Sequence, residues 1–181
     1  MGSPVPYGRV LAPAIAVLTA LVVLVGTPSQ ASAAMSYKQM QNRAQSAMNS
    51  AVPYAWRKAL PNVKVVSVIG GYSSYSTRYR GIKIGTYHAQ RPWSNLKSVM
   101  AHEFAHHIAF HYGSRRSYGA PPTGFPQATR STVETWADCV ATALTGTRYR
   151  YGNVPPCNAR ALAWTKAWLK KGPSGHRRTL R

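Results

Sequence analysis

Acidic residues are nearly missing from this sequence. It has three Asp and Glu against 23 Lys and Arg, a formal net charge of +20 over 181 residues. Charged residues make up 14% of it, where a globular domain ordinarily carries about 25%. A surface laced with ion pairs is thereby excluded. Only Glu103, Glu134 and Asp138 are there to pair, and a chain with so few acids places each for a reason.

Cysteine is as scarce, with Cys139 and Cys157 alone. The paired C-x-x-C spacing of cysteine-ligated zinc is absent. In an exported chain an even cysteine count predicts a disulfide.

Long apolar runs are also lacking, save one. Residues 10–25, VLAPAIAVLTALVVLV, follow Arg9 and precede Ala31-Ser32-Ala33. The run is shorter than the ~20 residues of a bilayer-spanning helix. A basic start, an apolar middle and a small-x-small site describe an export signal over residues 1–33, cleaved after Ala33, rather than a retained anchor. No cysteine follows the run to carry a lipid. Internal repeats and long linkers are missing too, so residues 34–172 read as one domain and 173–181 as a basic, mobile tail.

Apolar periodicity predicts a mostly helical α+β domain with a small sheet ahead of a histidine-rich helix. Ser36 caps a helix over 36–50, with a stripe of Tyr37, Met40, Ala44, Ala47, Met48 and Ala51. Pro53 ends it, and a short helical turn follows from Trp56 to Leu60. The β-branched run 63–69 predicts a strand, broken by Gly70-Gly71. Residues 72–81 read as a Tyr-rich loop or hairpin arm, and 82–88 as a second strand. Ser94 or Asn95 caps a long helix through His111, with Gly113 at its end. A Gly/Pro-rich loop over 114–128 leads to a helix from Ser131 to Leu144. Asn158 caps the last helix, whose apolar face carries Ala161, Leu162, Trp164, Trp168 and Leu169.

The histidine helix contains His102-Glu103-x-x-His106. Residues four apart on a helix lie about 40° from each other around its axis, so His102 and His106 present their rings to one point, as zinc ligands do. Glu103 lies about 100° around, beside such a metal, where it can take a proton from water. His107 and His111 stand about 100° and 140° from His106. Both angles place them on the helix surface or behind the ligands. Tyr112 and Ala109 stand where a third histidine and a glycine would extend the motif, which argues against the metzincin arrangement. The third ligand comes from the remaining acids. Glu134 and Asp138 are four apart on the helix STVETWADCVATAL and share a face. Glu134 can complete the metal site, and Asp138 can accept the second N–H of a ligand histidine and fix its tautomer.

AHEFAHHIAFHYG followed by RSTVETWADCVA resembles the bacterial neutral zinc metallopeptidase family, which pairs an A-H-E-x-x-H-H helix with a later E-L-x-A-D-C segment. More broadly, H-E-x-x-H with a downstream E-x-x-x-D is similar to the gluzincin type of zincin. The resemblance runs from Val99 to Ala143, with Thr-Trp between Glu134 and Ala137 where the family usually has Leu-Gln. It implies a zincin-like fold, zinc on His102, His106 and Glu134, Glu103 as general base, Asp138 as the supporting acid, and a peptide or protein substrate. The strand Lys83–His88 resembles the zincin edge strand that pairs with extended substrate, and equally reads as a plain sheet edge. Tyr112, Tyr118, Tyr149 and Tyr151 are the candidates for a hydroxyl that steadies the oxyanion.

With the acids gathered at one site, the rest of the surface is positive. An anionic cell-wall polymer or a membrane surface is the partner this charge suits. YSSYSTRYRG and RYRYG interleave Tyr with Arg as single-strand nucleic-acid binders do, but export argues against nucleic acid. Two alternatives to a secreted zinc endopeptidase stand: a non-catalytic zincin-like module that binds such a polymer, and a cationic binder that uses no metal.

Overall fold

The computed structural model describes residues 34–60, 63–114, 120–127 and 132–178. The expected signal segment 1–33, Tyr118, Ser131 and residues 179–181 lie outside that set. The chain enters helix α1 (Tyr37–Ala51) through a capping box. The Gln39 amide donates to Ser36 Oγ at 3.3 Å, and the Ser36 amide donates to the Gln39 side chain at 2.7 Å. Two otherwise orphaned N–H groups are thus satisfied. Met40, Ala44, Ala47, Met48 and Ala51 form the buried stripe. Tyr37, in the first turn, does not join it and stays 70% exposed.

Helix α2 (Tyr54–Ala59) buries Trp56. The sheet has β1 (Lys64–Ile69), β2 (Ser74–Ser76) and β3 (Gly81–Gly85), in the order β1-β3-β2. β3 pairs parallel with β1 and antiparallel with β2. The strand expected over 82–88 is β3, and it is shorter than the sequence suggests. It stops at Gly85, where an added Cβ would collide with the Gly71 carbonyl, and Thr86–Ala89 close into a helical turn, α3. It is also the central strand, so Lys83–His88 is not an edge; the edges are β1 and β2.

Helix α4 (Trp93–Tyr112) begins one residue before Ser94, behind Pro92. Neither Ser94 nor Asn95 caps it; the Pro92 carbonyl accepts the Leu96 amide at 3.0 Å and no side chain serves. Gly113 at its end has φ of −64°, so left-handed backbone is not the reason for glycine. A Cβ there would strike the carbonyls of Ala109 and Ala120. α4 packs against α1, α5 (Thr132–Thr145) and β2, and is buried on nearly every face. Its Leu96, Met100, Phe104 and Ile108 meet Ile82 and Ile84 of the sheet and Trp136 of α5 in one core.

Helix α6 (Ala159–Lys170) is capped by Asn158, whose side chain accepts the Ala161 amide at 2.8 Å. Trp168 and Leu169 are buried, while Trp164 is only half-buried against Phe125 and Trp136. The basic tail is docked rather than loose through residue 178. His176 stacks on Trp168 with ring centroids 3.8 Å apart, and Arg178 reaches the Ala59 carbonyl. Among the described residues no helix is long and apolar enough to cross a membrane.

Cys139 on α5 is bonded to Cys157, 18 residues on. The bond clamps the intervening loop to the helix that carries Glu134 and Asp138. Closing a loop of this length stabilises the fold by about 3 kcal/mol in the chain-entropy model. The Cys139→Ser/Cys157→Ser double variant is expected to lose about that much, read as a lower urea midpoint with a somewhat steeper slope, because the unlinked chain exposes more surface on unfolding.

Candidate metal centre

α4 and α5 pack side by side, and their polar faces meet at one point. His102 Nε2 lies 3.2 Å from His106 Nε2 and 3.1 Å from Glu134 Oε2, and His106 Nε2 lies 3.4 Å from the same oxygen. These three residues form a group that can hold a metal ion. Four ligands tetrahedrally placed about zinc, with bonds of about 2.0–2.1 Å, stand about 3.3–3.4 Å from one another. The observed triangle has that size, and two imidazoles with one carboxylate are a donor set that suits zinc. His102 is 1% exposed and the Glu134 side chain 29%, so the triangle is rooted in the core and open on one side.

Asp138 is wholly buried behind His102. Its Oδ1 lies 2.9 Å from His102 Nδ1, and its Oδ2 accepts the Tyr151 amide at 3.0 Å. His102 Nδ1 therefore carries a proton and its Nε2 faces the triangle. In the metal-free chain burial works against charging His102, but the hydrogen bonds to Asp138 and Glu134 override it and raise its pKa to about 9. Burial likewise works to raise Glu134, yet its bonds to His102 and His106 hold it well below the usual carboxylate range. The site attracts a cation, and in the absence of one it keeps a proton.

That proton must leave when a metal binds. His102 is raised from 6.5 to about 9, so its pairing stabilises the metal-free fold fully below pH 6.5 and loses that effect as pH rises through 9. Zinc affinity is expected to climb about tenfold per pH unit toward 9, one proton being displaced per ion. Competition against a chelator of known pH dependence measures the slope; a flat profile contradicts the proton count.

Glu103 is 3% exposed. Burial pushes its pKa up, against the pull of His102 and His106, with Glu134 adding to the rise and the Tyr75 amide opposing it. It lies outside the ligand triangle, on a cleft of about 260 Å³ that His102, His106, Glu134, Tyr75 and Tyr151 also line.

His107 and His111 are not part of the ligand group. His107 is fully buried rather than on the surface. Its Nδ1 meets the Tyr75 hydroxyl at 2.6 Å, and burial drives its pKa down to about 3. Burial pushes the Tyr75 phenol up to about 12, so the phenol donates and the neutral imidazole accepts. Of the four tyrosines proposed from sequence, only Tyr151 is placed on the cleft. Tyr149 sits beside His102, with ring centroids 5.3 Å apart. Tyr112 points away, its hydroxyl 3.4 Å from the Pro173 carbonyl. Tyr118 is outside the described residues. Sequence reasoning missed Tyr75 and His88. The signal for Tyr75 was the alternation in Ser74-Tyr75-Ser76; His88, bonded through Nδ1 to Ser73 Oγ at 2.8 Å, left none.

No family model matches the chain, and no curated protein or solved structure matches it.

Proposed function

We propose that this chain is an exported, zinc-dependent endopeptidase with a zincin-like arrangement of its helices and sheet. The observation that carries the reading is the convergence of His102, His106 and Glu134 on one point, with Glu103 beside them in the same cleft. Zinc held there supplies Lewis acidity to a scissile carbonyl and acidifies water. Glu103 accepts the proton of the attacking water and returns one to the leaving amine. Its buried carboxyl suits the role, because burial raises its pKa and makes it a stronger base. Asp138 holds His102 in the tautomer that faces the metal.

The substrate's backbone pairs with β2, the sheet edge on the cleft, rather than with the strand that sequence pointed to. Tyr151 offers its hydroxyl for the oxyanion. Burial and the nearby Glu134 and Glu103 raise its pKa, which keeps it a donor.

Purified protein is expected to carry about one zinc per chain and to cleave an unfolded protein, and Glu103→Ala to bind zinc without cleaving. The +20 net charge favours a second reading, a non-catalytic module held on an anionic polymer. Zinc content without turnover, together with retention on such a polymer, selects that reading. No metal uptake and no stabilisation by added zinc would overturn both.

A further inference from the structure

Beside the cleft lies a second cavity of about 540 Å³, within the range of small-ligand pockets, about 300–1,000 Å³. Tyr72, Tyr87, Arg91, Arg148, Arg150 and Tyr151 line much of it. It neighbours the metal cleft, and Tyr151 lines both. The loop carrying Arg148, Arg150 and Tyr151 is pinned twice, by the Cys139–Cys157 bond and by the Tyr151 amide on Asp138.

Its polar lining is rich in donors. The Arg91 guanidinium lies over the Tyr87 ring at 4.6 Å, which holds it in place. Arg150 gives its Nε–H to the Val154 carbonyl at 3.0 Å and keeps its terminal N–H groups. Arg148 makes no hydrogen bond or ion pair with the described residues. Ser73 Oγ accepts the Gly85 amide and meets His88 Nδ1 at 2.8 Å, which fixes the His88 ring at the cavity wall. No acid lines the cavity, and none elsewhere in the chain is left to do so. Glu103, Glu134 and Asp138 are the only three, and all are at the metal centre. Three arginines with no internal counter-charge ask for an anionic group from outside.

We propose that this cavity is a specificity pocket, taking the side-chain carboxylate of an Asp or Glu that flanks the bond to be cut. The inference rests on the peptidase reading. A peptide is favoured over a free polyanion because the pocket and the cleft meet at Tyr151, so a residue flanking the scissile bond is within reach of the arginines. A polymer held by charge alone needs no walled cavity.

The test uses the zinc-supplemented full chain and matched fluorescent peptides with Glu, Gln or Lys at each position around one cleavable bond. At one flanking position Glu is expected to raise kcat/KM about five- to tenfold over Gln, and the gain to shrink with salt. Arg91→Gln/Arg148→Gln is expected to bring that ratio to about one, while Lys38→Gln/Lys58→Gln, which removes the same charge elsewhere, keeps it. Cleavage indifferent to Glu at every position, or a preference the arginine variant retains, overturns the pocket and leaves the peptidase reading standing. If no peptide is cut, anisotropy decides on the same chain. Tighter binding of Glu peptides that the arginine variant loses supports the pocket without the peptidase. Equal binding, or loss only of a uronate or phosphate polymer, overturns it.

Discussion

Glu103→Gln is expected to lower peptide hydrolysis by about 10²–10⁴-fold while zinc stays bound. The substitution keeps the shape of a side chain that is 3% exposed and keeps an oxygen for the Tyr75 amide that bonds it. It removes the function proposed for the carboxylate at that place, taking and returning a proton. His102, His106 and Glu134 are untouched, so the ligand triangle survives. The effect should fall on kcat more than on KM, because a proton transfer belongs to the transition state and not to substrate binding. Turnover of a reporter peptide and zinc per chain are measured together. Activity within threefold of the unaltered protein would sink the general-base role. Loss of zinc along with activity would show instead that Glu103 holds the site together.

The convergence of His102, His106 and Glu134 was legible in the sequence for two separate reasons. Helical angles tie His102 to His106 and remove His107 and His111, since a rigid helix fixes the bearing of each side chain. The acid shortage then points to Glu134 and Asp138, because the only other acidic side chain, Glu103, lies between the two histidines on their own helix. Neither reason needs the tertiary fold. What stayed hidden depended on it. The parallel pairing of β1 with β3 puts β2 on the outside, so the strand nearest α4 in sequence is not the strand at the cleft. Chain order carries no mark of that crossover. His107 read as lying on the helix surface or behind the ligands, because its helix should have one wet face. That face is covered by β2, and Tyr75 supplies a hydroxyl to the buried ring. The docked tail has the same origin. His176 and Arg178 find partners in Trp168, Tyr112 and Ala59, the last 119 residues away along the chain.

The second large effect is expected at Asp138. Its carboxylate is wholly buried and meets two donors, His102 Nδ1 at 2.9 Å and the Tyr151 amide at 3.0 Å. Asp138→Ala leaves both unpaired, each at a cost of about 1–3 kcal/mol, and frees His102 to turn or change tautomer. Zinc affinity is expected to fall about 10–100-fold. Asp138→Asn should lie between the two, since its amide oxygen accepts from one donor while its NH₂ faces the other. Chelator competition gives the affinity, and urea unfolding in excess chelator gives the stability apart from the metal. Affinity unchanged in both variants would refute the supporting role. The Tyr151 bond adds a consequence that a residue serving the metal alone would lack. Losing Asp138 loosens the loop that carries Arg148 and Arg150, so the Glu-over-Gln preference of any residual cleavage should drop as well. A variant that loses zinc affinity but keeps that preference at saturating zinc would separate the two roles, leaving the disulfide as the restraint that holds the pocket.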